Sequence, residues 1–143
     1  MRHFLLALGL ALFAPTLAAA CPTITAGATQ LTLSEAQLAN PYTINTGASG
    51  NIDLANCGHI GFVNAAPQVS INFTETYGPV QVSTYSSCDT VLLVNAPDGS
   101  WWFNDDSGGS TLSWMMVDVN PGRMDVWVGT YNGSTCDAQV TLN

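Results

Sequence analysis

The sequence is 143 residues long, 47% hydrophobic and only 8% charged, and its ten carboxylates against two basic side chains give a formal charge of −8. That sign repels phosphate backbones and anionic headgroups, which argues against nucleic acid and membrane surfaces as partners and favours cations and basic proteins, although acidity also serves plain solubility. No nucleotide loop, Cys-x-x-Cys pair, histidine-rich cluster or basic patch occurs, so nucleotide, redox, zinc and nucleic-acid chemistry fall away.

Residues 1–20 have the three parts of a secretory signal: basic Arg2, the apolar run Phe4 to Phe13, and small residues at Ala18 to Ala20. The run is too short for a permanent span, so the mature chain is expected to be exported and not inserted in a membrane, secreted or periplasmic. Cleavage after Ala20 leaves Cys21 first, which opens a lipoprotein reading with the acyl anchor on Cys21. Against it stand Ala18, where a lipobox has leucine, and the even set Cys21, Cys57, Cys88 and Cys136, which lipidation would leave odd. Three pairings are open. Cys21 with Cys57 and Cys88 with Cys136 is favoured because each bridge ties a terminal segment to an internal strand; one bridge with two buried thiols is the alternative. Residues 21–143 suffice for one domain with a real core and are too few for two.

Thr23 to Leu33 reads as one or two short strands. Ser34 and Gln37 have capping-box spacing, which predicts a single helical turn stopped by Pro41. From Tyr42 onward the pattern is β: Tyr42 to Asn45, Asn51 to Cys57, Phe62-Val63, then Val69 to Phe73 with clean period-two alternation. Gly78-Pro79 reads as a breaker before Val80 to Tyr85. Thr90 to Val94 and Ser100 to Phe103 flank Pro97-Asp98-Gly99, a hairpin ending on paired carboxylates. Leu112 to Val119, Met124 to Tyr131 and Cys136 to Leu142 follow, separated by Asn120-Pro121-Gly122 and Asn132-Gly133. Eight or more short strands with turns every eight to twelve residues predict an all-β antiparallel sandwich, jelly-roll-like. In the penultimate strand Met124, Val126 and Val128 share a core face. Asp125, Trp127 and Tyr131 share the other, a binding platform or a covered second layer.

Asp89 to Val94, Pro97 to Trp101, Asn104-Asp105-Asp106, and Pro121-Gly122 followed by Val126 to Tyr131 together resemble the bacterial pre-peptidase C-terminal domain family and short exported proteobacterial proteins with the same core. The likeness runs over Ile44 to Leu142. It implies a jelly-roll-like β-sandwich without catalytic residues of its own, an accessory or substrate-binding module of secreted peptidases. One departure stands out: Arg123-Met124-Asp125 follows the Pro-Gly turn where the family has tyrosine two residues on.

Asp106-Ser107-Gly108-Gly109 matches the core of the trypsin-like nucleophile signature, with His59 as the base such a serine needs. Length, the Cys57-Gly58-His59 order and Asp105 before the motif oppose an enzyme, and the expected role of these residues is a loop between strands. Asp105 and Asp106, with Asn104 and Asp89 or Asp98, supply the hard oxygens that Ca²⁺ takes, though without the spacing of a dedicated loop. Trp101, Trp102, Trp127 and Tyr131, joined by Phe103 and Trp114, are the candidate surface for a protein or carbohydrate ligand, against core packing for most of them. Asn72 to Thr74 and Asn132 to Ser134 match glycosylation acceptors, and Asn132 is already explained by its turn. The reading is therefore a non-catalytic exported module, with a serine peptidase (Ser107, His59) and a calcium-stabilised structural or adhesion protein as alternatives.

Overall fold

A computed structural model of the chain describes residues 21–75, 78–107 and 110–143. Segment 1–20, with the signal and its cleavage site, lies outside these, as do Gly108 and Gly109 of the serine motif. Eleven strands form two sheets packed face to face, the jelly-roll-like sandwich that the alternating pattern predicts.

The larger sheet is built on β10 (Gly122–Thr130). One flank of β10 pairs with β5 (Val69–Phe73) and, at Thr130, with β4 (Phe62–Val63). The other flank pairs with β7 (Thr90–Asn95), and β7 pairs in turn with β8 (Trp101–Asn104). β1 (Thr29–Leu33) lies outside β5, and β3 (Ile52–Asp53) outside β4. The second sheet has the order β2 (Tyr42–Ala48), β11 (Cys136–Leu142), β6 (Gly78–Ser86), β9 (Trp114–Val119).

Between the sheets Ile71, Phe73, Leu92, Val94, Met124, Val126 and Val128 meet Val80, Val82, Val117, Val140 and Leu142, all buried. Every residue of β7 is buried, because its outward face is covered too. There Val91 and Leu93 join Leu54, Val63 and Trp127 in a second apolar cluster, roofed by the chain from Ile52 to Cys57. The uninterrupted run Thr90 to Val94 is the sequence form of a strand buried on both sides.

Three local expectations change. β1 and β5 run parallel in an otherwise antiparallel molecule. A parallel neighbour needs a crossover, and the chain between them makes one by passing through β2 in the opposite sheet. Residues 23–28 form no strand; they lie along the larger sheet by single bonds, Thr23 N–H to the Ala65 carbonyl (2.8 Å) and Gly27 N–H to Ser70 Oγ (2.8 Å). Gly78-Pro79 does not break β6 but begins it. Pro79 is the second residue of β6, at a strand end where a missing N–H is tolerated.

The single turn of helix is α1 (Glu35–Leu38), and Gln37 Oε1 accepts from the Ser34 N–H (2.9 Å), as the capping-box spacing predicts. Both disulfides have the favoured pairing, Cys21–Cys57 and Cys88–Cys136. Among the described residues no helix is long and apolar enough to cross a membrane.

Candidate functional site

The acidic corner is a product of hairpin register. β7 and β8 pair with Leu92 opposite Asn104 and Asn95 opposite Trp101. Continuing that register past Asn104 brings Asp105 and Asp106 back to the entrance of β7, where Asp89 stands. The tight end of the hairpin is set by Asp98, whose Oδ1 accepts from Ser100 N–H (2.9 Å) and Oγ (2.6 Å), and by Gly99 at φ +86°. These bonds to Ser100 hold the Asp98 carboxyl below the usual aspartate value. Asp98 is thus the turn residue at the far end of the hairpin and does not join the proposed ligand set.

The other three do meet. One carboxylate oxygen from each of Asp89, Asp105 and Asp106 lies within 4.8 Å of the other two. Asp89 and Asp105 each bury an Oδ1 that has no hydrogen-bond partner among the described residues. Both carboxyls are pushed above the ordinary value of 3.8, first by burial and then by the charge of Asp106, with Asp89 also acting on Asp105. The backbone behind them is fixed. Ser113 Oγ lies 2.5 Å from the Asp105 carbonyl and 2.6 Å from that of Thr90, and Ser113 N–H reaches the paired hydroxyls of Thr84 and Thr90. Tyr131 N–H holds the Asp89 carbonyl (3.0 Å). Asn104 Oδ1 is taken up by Ser107 Oγ (2.6 Å) and Trp114 N–H (3.1 Å), so it braces the loop and does not face the carboxylates as a ligand.

Three acids held together with buried oxygens left unpaired are electrostatically costly, and a cation placed among them relieves both costs at once. An all-oxygen donor set of this kind suits calcium, with waters completing the shell.

Ser107 and His59 are not a dyad. The Ser107 hydroxyl donates to Asn104 and approaches the Trp114 carbonyl (3.1 Å), while the His59 ring stacks on Phe103 at 4.3 Å between centroids and 18° between planes. Among the described residues no hydrogen bond joins them. Ser107 itself follows β8 and pairs by an isolated bridge with Ser110.

The aromatic surface divides. Trp127 is 0% exposed, at the centre of the second apolar cluster, and is withdrawn from any contact surface. Of the two readings for the outer face of β10, the covered second layer holds at Trp127, and the cover formed by the segment at Ile52–Cys57 has no periodic signal of its own. Trp101 lies over it, centroids 5.3 Å apart, and remains 44% exposed. Trp102 projects to the opposite side of β8, with its indole N–H on Ser100 Oγ (2.9 Å). Tyr131 and Trp114 are about half exposed.

Sequence reasoning missed two polar residues. Gln68 plugs the gap in β10 between its two partners: its Nε2 donates to the Val128 carbonyl (2.6 Å) and its Oε1 accepts the Val128 N–H (3.1 Å). Asp125 is 1% exposed and is bound by Ser70 Oγ (2.5 Å) and by Arg123 through Nε (3.0 Å) and Nη2 (2.9 Å). At the position of the departure Met124 is buried between the sheets, while its neighbours Arg123 and Asp125 pair on the outer face of β10. The solitary basic residue of the described chain, set two residues from an acid on a strand, was the signal available.

Fold and site together define a disulfide-bonded all-β sandwich with an acidic corner at one end of its central hairpin. No family model and no curated protein matches the chain. Among solved structures it is similar to the pre-peptidase C-terminal domain of a collagenase from Bacillus anthracis, at TM-score 0.49 and 9% identity over 80% of this chain and 94% of that one. It is also similar to PliG of Aeromonas hydrophila, a periplasmic lysozyme inhibitor of g-type lysozyme, at TM-score 0.46 and 12% identity over 86% and 98% of the two chains. The first of these belongs to the family that the hairpin and turn motifs resemble.

Proposed function

We propose that this protein is an exported, non-catalytic binding module whose acidic corner takes a calcium ion on Asp89, Asp105 and Asp106. The observation that carries the reading is the meeting of the Asp89, Asp105 and Asp106 carboxylates, two of which bury an Oδ1 without a hydrogen-bond partner among the described residues. The cation locks the β8–β9 loop onto the start of β7. A protein or carbohydrate ligand then meets a fixed surface that includes Trp102, Trp114 and Tyr131. The different engagements of Ser107 and His59 support a role without catalysis, and two disulfides support export.

Calorimetric titration tests the ion. Calcium is expected to bind with a dissociation constant of about 10⁻⁴–10⁻³ M, the range of extracellular sites. Asp105→Asn should weaken it at least about tenfold, because a charged ligand is lost from a small set. Equal binding by the variant, or no heat from the native protein, sinks the proposal.

A further inference from the structure

The outer face of the smaller sheet, turned away from the core, is ordered by strand register. Pairing of β6 with β9 and β11, and of β11 with β2, sets the outward side chains in rows across the strands. One row is Tyr85, Gln139 and Asn45; the next is Trp114, Ser83, Thr141 and Thr43. Tyr85 is 68% exposed and Trp114 45%, each on a strand whose alternate residues are buried. As diagonal neighbours their backbones stand roughly 7–8 Å apart, so two aromatic rings share one track.

The polar groups beside them are held in place. Gln139 Nε2 donates to Asn45 Oδ1 (3.0 Å), which leaves the Gln139 side-chain carbonyl and the Asn45 amide hydrogens without other partners among the described residues. The Thr43 and Thr141 hydroxyls lie 3.0 Å apart, and Ser83 Oγ donates to the Thr141 carbonyl (3.3 Å). Tyr85, Gln139, Asn45 and Asp137 line a cleft of about 450 Å³, within the range of small-ligand sites.

Chemistry, charge and area select the guest. A pyranose offers C–H faces to aromatic rings and hydroxyls to amides, the two kinds of group that alternate here. Asp137, the next outward residue of β11, accepts from hydroxyls and repels an acidic sugar, and the sole arginine of the described chain lies on the other sheet, so nothing compensates an anion. Four strands and three rows frame on the order of 400 Å². That is about half of the roughly 800 Å² that each partner gives to a stable protein interface.

We propose that this sheet face binds a chain of neutral sugars, one ring stacked on Tyr85 with its hydroxyls on Gln139, Asn45 and Asp137, and a further ring carried towards Trp114. Such a glycan is the ligand of the non-catalytic module proposed above; its binding depends on that reading and not on the calcium ion.

The test follows the Tyr85 ring, the Trp114 indole and the Asn45 and Gln139 side-chain amides by NMR. Cellotetraose, maltotetraose, mannotetraose and tetra-N-acetylchitotetraose are the neutral probes, and tetragalacturonate is the acidic one. At least one neutral probe should shift these signals together and bind at least about tenfold more tightly than tetragalacturonate. Tyr85→Ala should weaken that probe about tenfold, and Gln139→Ala about fivefold, the scale of one lost neutral hydrogen bond. Both side chains are exposed, so both variants should melt with the native protein. The shifts should be the same in chelator, which keeps failure of the calcium titration and failure of glycan binding separate; cleavage of the probe would contradict the non-catalytic reading and leave the binding face standing. No shift with any neutral probe, equal binding of tetragalacturonate, undiminished binding by Tyr85→Ala, or signals that move only with protein concentration, as when the face meets a second copy, overturns the proposal.

Discussion

Asp105 and Asp89 carry the electrostatic tension of the molecule, and its sign can be read from pH. Both carboxyls sit above the ordinary aspartate value through burial and the Asp106 charge, so each favours the folded state most when protonated. In chelator that contribution is fully present below 3.8 and is lost as pH rises through the folded-state pKa. Asp98 runs the other way: its contribution is present above 3.8 and fades as pH falls through its lowered value. Asp105→Asn mimics the protonated acid. In chelator at pH 7 the variant should melt higher than the native protein, and the gap should close as pH falls towards 4; thermal scans across that range check this, and a gap independent of pH contradicts it. Gln68 offers a second residue-level test. Gln68→Leu leaves the Val128 N–H without its bond inside the sandwich and should cost about 2 kcal/mol in denaturant unfolding, the scale of a buried unsatisfied group.

At the scale of elements, β10 organises the larger sheet, and the chain crosses it most closely at Gly129. A Cβ there would stand 1.9 Å from the Phe62 carbonyl oxygen, so Gly129→Ala must push β4 away from β10. The expected loss is about 3 kcal/mol or more, read as a drop in the urea midpoint, with Trp127 fluorescence reporting an opened second cluster. The strands themselves were legible in the residues. Period-two alternation marked β5 and the core face of β10, and the aliphatic run Thr90 to Val94 marked β7. What could not be read was set by tertiary partners without a periodic signature. The cover over Trp127 is a short 3-10 turn and two two-residue strands, too brief to alternate. Pro79 looked like a breaker because only its place at the start of β6 makes its missing N–H tolerable. The parallel β1–β5 pair depends on a crossover through the second sheet that no local pattern specifies.

For the whole molecule, two disulfides and two apolar clusters hold a sandwich with the acidic corner at its edge. Cys88–Cys136 closes β7 onto β11 beside Asp89, so the acidic corner is anchored from below by the core and from the side by a covalent bond. The candidate site was legible to the extent that it is a property of the hairpin: two adjacent acids at one strand end, a third at the start of its partner. Asp98 was drawn into the set by proximity in sequence, and the register of the hairpin places it at the opposite end. The burial of Asp125 stayed hidden because it depends on Ser70 from a distant strand as well as on the exposed Arg123.

The central claim is that the corner formed by Asp89, Asp105 and Asp106 is completed by calcium, and the melting temperature measures it most directly. With calcium at about a hundred times its dissociation constant, binding to the folded state alone adds about 2.7 kcal/mol. For a domain of this size that corresponds to a midpoint roughly 10 °C higher than in chelator. That rise is expected in the native protein and at most about half of it in Asp105→Asn, whose site is at least about tenfold weaker. The same midpoint with calcium and with chelator would contradict it.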